Sequence, residues 1–256
     1  MKGFWPVYRK ELYTLFASPI FYVVAFTFLV IAGYFFYSAI AYFNLLSFQA
    51  SQNPFMAKQM NLLEMVLRPF FMDLSIVMLL LSPLLTMRLY AEERKTGTLE
   101  LLFTYPISDS AAVLAKFVAV VCVFAVIVAG TLPGIFLLSV ITNPSWKPIL
   151  CGYLGLLLLG SAFMALGTFT SSLTQNQIIA AVLSFGALLM FWVIGWVKTL
   201  VDPSAAGLIE YLSITKHYDN FTKGILDSRD TIYYILFVVF FLFLTLRQMS
   251  SYRWRG

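Results

Sequence analysis

Six stretches of this chain are almost wholly apolar, and the polar residues fall mainly between them. The first, Ile20–Phe43, carries no charge. The second lies between Arg68 and Arg88, with Asp73 near one end and Pro83 near the other. The third runs from Val113 to Ile141, with Lys116 at its start and Pro133 inside. The charge-free stretch between Lys147 and Lys198 is too long for one crossing. A polar heptad, Ser171-Ser172-Leu173-Thr174-Gln175-Asn176-Gln177, reads as a tight turn and divides it into Ile149–Thr170 and Ile178–Val197. The sixth, Thr231–Leu246, is bracketed by Asp230 and Arg247. A helix that crosses the hydrocarbon core needs about 20 mainly apolar residues, and each stretch meets or approaches that length. Glycines 152, 155, 160 and 167 in the fourth stretch predict close helix packing.

The segments outside these stretches are short. Ahead of the first span, Phe4, Tyr8, Leu12 and Leu15 recur at helical spacing, with Arg9, Lys10 and Tyr13 on the opposite side and Pro19 as a terminator. Residues 1–18 therefore predict an amphipathic interface helix. Residues 88–110 form the densest polar feature. The cluster Arg88, Glu92, Glu93, Arg94 and Lys95 runs into Thr96-Gly97-Thr98, then an apolar turn containing Glu100, then Pro106. Thr98 is placed to cap a short helix beginning at Leu99, and Gly97 to permit a sharp bend at positive φ. Residues 198–230 form the longest external segment. Asp202-Pro203-Ser204 reads there as a helix start, and Leu208, Ile209, Leu212 and Ile214 predict short helices against the membrane. The fold class is all-α: one polytopic membrane domain over 1–256, with six transmembrane helices, an N-terminal interface helix and a short cytoplasmic helix.

Composition agrees. Of the 256 residues 61% are hydrophobic and only 11% charged, against roughly 45–50% and about 25% in soluble domains. That excludes a water-soluble enzyme or nucleic-acid-binding domain. The net charge of +5 is read as topology. With six spans both termini share a side, and that side carries Lys2, Arg9, Lys10, Arg88, Arg94, Lys95, Lys116, Arg247, Arg253 and Arg255, ten basic residues against seven opposite. The bias predicts cytoplasmic termini. Cys122 and Cys151 both lie within apolar runs and read as small buried hydrophobes.

At the second cytoplasmic connection a family pattern emerges. Glu92-Glu93-Arg94-Lys95-x-Gly97-Thr98-Leu99-Glu100-Leu101-Leu102, followed by Pro106-Ile107-Ser108, resembles the cytoplasmic signature of ABC-2-type transporter permeases. Tyr8-Arg9-Lys10-Glu11-Leu12 before Pro19 is similar to the start of the same family. The tail, with His217, Tyr218, Phe221, Gly224, Ser228, Arg229 and Asp230, resembles the gliding-motility-associated (GldF-type) subgroup. The resemblance implies a bacterial inner-membrane permease without its own ATP site. A separate ABC ATPase dimer would bind ATP and Mg, and a second permease copy or related membrane protein would complete the complex. It also implies that residues 92–102 couple to the ATPase, helped by the interface helix and by Ser172, Gln175 and Gln177 in the second cytoplasmic turn. Leu99, Leu101 and Leu102 would form the docking face. No GxxxxGK[ST] phosphate loop occurs in the chain.

Catalysis is poorly supported. The one histidine, His217, falls in an external segment and reads as a surface or packing residue, and neither a metal-ligand set nor paired mid-depth carboxylates can be assembled. The alternative is an ion-coupled secondary transporter or channel, which needs ionisable groups deep in the membrane. Asp73 is the candidate, and it sits near the external end. The spans thus read as lacking buried charge.

Overall fold

The computed structural model describes residues 3–51, 61–100, 107–142, 144–197, 207 and 211–255. Among them there is no strand, and six helices are long and apolar enough to cross a membrane. The all-α, six-span architecture is therefore as expected.

Helix α1 covers Phe4–Ala17 and ends at Ser18, whose extended backbone turns the chain into α2, Pro19–Ser51. Pro19 suits that first helical position, since its missing N–H would have no intrahelical partner there. A π-helical turn, Leu63–Leu67, leads into α3, Arg68–Thr86, and after a break at Met87 comes α4, Arg88–Lys95. Pro83 lies one turn before that break and removes a backbone donor from the helix interior. The third crossing is in two pieces, α5 (Asp109–Ala129) and α6 (Leu132–Thr142), separated at Gly130–Thr131. Ser108 caps α5 by accepting the Ala111 N–H. The Thr131 hydroxyl donates to the Val128 carbonyl and meets the Tyr153 hydroxyl at 2.7 Å. Helices α7 (Trp146–Leu173) and α8 (Gln177–Val197) follow, then a short α9 (Ile214–Thr222) and finally α10 (Ser228–Arg255).

Helix α7 is the hub. Within its most apolar window 72% is buried inside the protein, against 17% for α2 and for α8, which lie at the rim. The four glycines explain how neighbours approach α7 so closely. A Cβ at Gly152, Gly155, Gly160 or Gly167 would stand 2.3 Å from Phe71, 2.4 Å from Phe221, 2.1 Å from Phe124 or 2.1 Å from Thr86. The predicted close packing is realised, and it draws α3, α5 and α9 onto one helix.

Two expectations need correction. The buried stripe of α1 is Val7, Glu11 and Leu15, so a carboxylate occupies the packed face where only apolar residues were expected. Phe4, Tyr8 and Leu12 flank that stripe and are half-buried. The spans do contain buried charge, because Lys116 in α5 is fully buried. Of the two roles expected for His217, surface or packing, the second holds: it lies on helix α9 and is 4% exposed.

Candidate functional site

The two sequence segments with the most charge meet. Lys10 and Glu11 of α1 face Glu93 of α4, and Lys116 of α5 completes the group. The Lys116 ammonium lies 2.9 Å from Glu11 Oε1 and 3.0 Å from Glu93 Oε2, and it donates to the Leu89 carbonyl at 2.9 Å. The Lys10 ammonium closes the ring, 2.6 Å from Glu93 Oε1 and 3.2 Å from Glu11 Oε1. The Tyr90 ring covers Lys116, its centroid 5.1 Å from Nζ. Two cations and two carboxylates alternate, so the group is neutral as a whole. An ammonium has three donors; two of Lys116's are hydrogen-bonded, to Glu11 and to the Leu89 carbonyl, and Glu93 adds a close ion pair. Its burial is tolerable for that reason, since a lone buried charge is strongly unfavourable. Lys10 sits at the open edge. Partial burial works against its charge, but the carboxylates of Glu11 and Glu93 outweigh this and hold its pKa above the ordinary lysine value.

Helix α4 is fastened on its other side as well. The Ser171 hydroxyl, near the end of α7, donates to the Met87 carbonyl at 2.8 Å and accepts from the Tyr90 and Ala91 amides at 3.1 and 3.2 Å. The α3–α4 break is thus bridged by one side chain. Arg94 donates to the Ser172 carbonyl at 2.6 Å, and its guanidinium lies 4.9 Å from the centre of the Tyr252 ring on α10. Arg88 grips Glu92 with two donors, at 2.7 and 3.2 Å, and its third contact is the Ser18 hydroxyl at the α1–α2 turn. One helix of eight residues is therefore linked by side chains to α1, α5, α7 and α10.

The remaining coupling residues lie just beyond. Gly97 has φ of 72°, the left-handed conformation expected of it, and it reverses the chain immediately after α4. The Thr98 hydroxyl turns back to the Glu93 carbonyl and meets Thr96 Oγ1 at 2.9 Å. Residues 98–100 are helical. Glu100 is exposed, whereas Leu99 is 1% exposed and belongs to the chain's own core. That corrects the expected docking face: Leu99 is already covered, while Leu101 and Leu102 lie outside the described residues. In the second turn Gln175 is exposed and Gln177 half-buried, and Asn176 Oδ1 caps α8 by accepting the Ile178 amide at 2.9 Å. Arg9 is exposed, and the Tyr8 hydroxyl contacts Cys122 Sγ at 3.4 Å.

The tail motif forms a separate knot. His217 Nδ1 lies 2.6 Å from Asp230 Oδ1, its Nε2 lies 2.9 Å from the Tyr211 carbonyl, and its ring stacks on Tyr233 at 4.0 Å. Asn220 donates to the other Asp230 oxygen at 2.7 Å. The Tyr218 hydroxyl donates to the Phe71 carbonyl at 3.0 Å, and Phe221 is fully buried. Gly224 has φ of 76°, and a Cβ there would meet Pro148 at 2.9 Å. Ser228 and Arg229 are exposed at the start of α10, where the Arg229 amide donates to the Asp227 side chain at 2.9 Å. Beside the knot, Arg68 and Lys223 bind Asp219 at 2.9 and 2.5 Å. Burial alone would raise the Asp219 pKa, but these two cations outweigh it and hold the carboxyl below its usual range. The helix predicted to lie against the membrane forms as α9 but is placed differently: Ile214, Tyr218 and Phe221 are buried against the bundle, the helix packing on α7, α3 and α10. Asp202, Pro203, Ser204, Leu208 and Ile209 lie outside the described residues.

Lys116, Ser171 and Asp227 are the structurally important residues that the residue pattern did not single out. Lys116 carried a signal: it stands near the start of an apolar run, with no acidic residue one helical turn away to pair with it.

A bundle of six helices long and apolar enough to cross a membrane, with the charged α4 segment bolted to several of them, defines a multi-pass membrane protein. Residues 5–251 match the family model described as ABC-2 family transporter protein, so the chain belongs to that family. It is accordingly a membrane permease subunit of an ABC transporter, a type of subunit that works with an ABC ATPase. No individual curated protein matches the sequence.

Proposed function

We propose that this permease transmits the ATPase cycle to the membrane through α4 and the Gly97 turn. The observation that carries this reading is the fastening of α4 on two sides, to α1 and α5 through the charged ring and to α7 and α10 through Ser171 and Arg94. A displacement passed to α4 through the Gly97 turn then reaches four helices at once, because packed interiors shift as units and do not deform continuously. The exposed groups near that turn, Lys95, Thr96, Thr98, Glu100 and Gln175, are available to a partner. In this reading both termini and α4 face the cytoplasm of a bacterial inner membrane. ATP and Mg belong to a partner ATPase dimer, and a second permease copy or related membrane protein completes the complex. The tail motif supports reading the chain as a member of the gliding-motility-associated (GldF-type) subgroup, with export or mechanical transmission as the output.

Co-purification with the ATPase tests the reading directly. The complex should hydrolyse ATP and the permease alone should not. Gly97→Val should leave the subunit inserted but lower the ATPase activity of the complex, because a β-branched residue is strained at that φ. An unchanged rate in the variant complex would remove the turn from the coupling path.

A further inference from the structure

A cavity of about 100 Å³ opens between α1, the start of α2 and the α3–α4 junction. It lies beside the charged ring, and its wall is two-natured. Ile20, Phe21 and Leu84 form an apolar side, while Arg88, Glu92 and the Ser18 hydroxyl form a polar side. Tyr13 and Tyr22, next in sequence to the lining residues Thr14 and Phe21, are 77% and 60% exposed. Aromatic residues of this kind concentrate where headgroups meet hydrocarbon, and α1 together with the start of α2 would occupy that level.

We propose that this cavity binds the headgroup and upper chain region of one zwitterionic phospholipid bearing a primary amine, phosphatidylethanolamine, from the leaflet on the α1 side. The phosphate lies on the Arg88 guanidinium and the ammonium on the Glu92 carboxylate, with the glycerol and first methylenes against Leu84 and Phe21. Charge complementarity selects this headgroup. The lining cations are Lys10 and Arg88 and the lining carboxylates are Glu11, Glu92 and Glu93. With Lys116 behind the wall neutralising Glu11 and Glu93, the site carries no net charge: a purely anionic headgroup gains no net attraction there, whereas a headgroup carrying both signs matches a paired Arg and Glu. A trimethylated amine lacks the N–H donors that Glu92 would accept. Half-exposed ion pairs such as Arg88–Glu92 contribute little on their own, so the pair can open to the lipid at small cost, and both new contacts are charge-assisted. The proposal requires only that α1 lies at a membrane surface and is independent of the coupling role.

The full chain, reconstituted in phosphatidylcholine vesicles containing phosphatidylethanolamine or phosphatidylglycerol and extracted in mild detergent, is weighed by native mass spectrometry. One phosphatidylethanolamine should remain per chain. Thr14→Trp, which plugs the mouth from an exposed helix position while keeping every charge, should cut retention at least about tenfold. The paired variant Arg88→Gln/Glu92→Gln should do the same. Equal retention of phosphatidylglycerol or phosphatidylcholine would overturn the choice of headgroup. Full retention in Thr14→Trp would overturn the site. If Thr14→Trp instead abolished ATPase association with lipid retention unchanged, the cavity would be a protein contact and the proposal wrong.

Discussion

Replacing Lys116 by Met is the sharpest test of the charged ring. The substitution preserves most of the side-chain volume and removes a cation that donates to Glu11 and the Leu89 carbonyl and pairs with Glu93. Glu11, 5% exposed, then keeps only the looser Lys10 contact at 3.2 Å. Breaking a buried pair by removing one partner destabilises by about 3–5 kcal/mol, because the other charge stays buried and uncompensated. At about 3 kcal/mol, the midpoint of thermal unfolding should fall by roughly 6–12 °C for a domain of this size. The double variant Lys116→Met/Glu11→Leu deletes both charges and leaves Lys10–Glu93 as a self-sufficient pair. It should recover most of the loss, since swapping a buried pair for apolar groups is often nearly neutral. The assay is tryptophan-fluorescence unfolding of the purified wild type, both single variants and the double variant. A coupling energy of at least about 2 kcal/mol is expected. Additive effects, or a single variant as stable as wild type, would refute the claim that these side chains act as one unit.

Ser171→Ala should raise hydrogen exchange at the Tyr90 and Ala91 amides by about tenfold, because one hydroxyl serves both amides and the Met87 carbonyl; unchanged exchange would show that the α3–α4 break holds without it. Gly167→Ala should destabilise by about 1–3 kcal/mol, since its Cβ would lie 2.1 Å from Thr86 Oγ1. Gly186→Ala, with nothing within 4 Å of its Cβ, should be neutral or stabilising by up to about 1 kcal/mol, and equal unfolding midpoints for the two would contradict the packing. For the external pair, the folded pKa of Asp219 is lowered. Its contribution is therefore full above the ordinary carboxylate range, about pH 4, and disappears as pH falls through the folded pKa. Wild type should exceed Asp219→Asn in stability at pH 7 and converge with it below about pH 3; a gap that persists in acid would point to packing instead of charge.

The spans were legible because crossing a bilayer imposes a length and a composition that local sequence displays directly. Pro19, Gly97 and the turn between α7 and α8 were legible for a similar reason, since each acts through its own backbone; the turn is narrower than the predicted Ser171–Gln177, because α7 runs to Leu173 and α8 begins at Gln177. Glu11 was not. At its position the helical pattern shows only a charge next to Lys10, and its partner Lys116 is 105 residues away. Lys116 could be read as a charge at the margin of a span, and only the arrival of α1 and α4 buries it. Leu99 was misplaced for the complementary reason: an apolar turn in a polar segment signals a need for cover, without saying whether this chain or another supplies it. His217 likewise became interpretable only when Asp230 and Tyr233 were placed around it.

The order of the ring's members along the chain bears on how the protein is made. Glu11 leaves the ribosome first, then Glu93, and Lys116 last. Both countercharges are already waiting when the basic residue of the third crossing reaches the bilayer, so its entry can be accompanied by immediate neutralisation. A nascent chain halted between positions 93 and 116 would hold two acidic side chains with only Lys10 to balance them, and should be recognised as unfinished by the quality-control proteases of its membrane. The same interaction that steadies the mature protein would then also time its assembly.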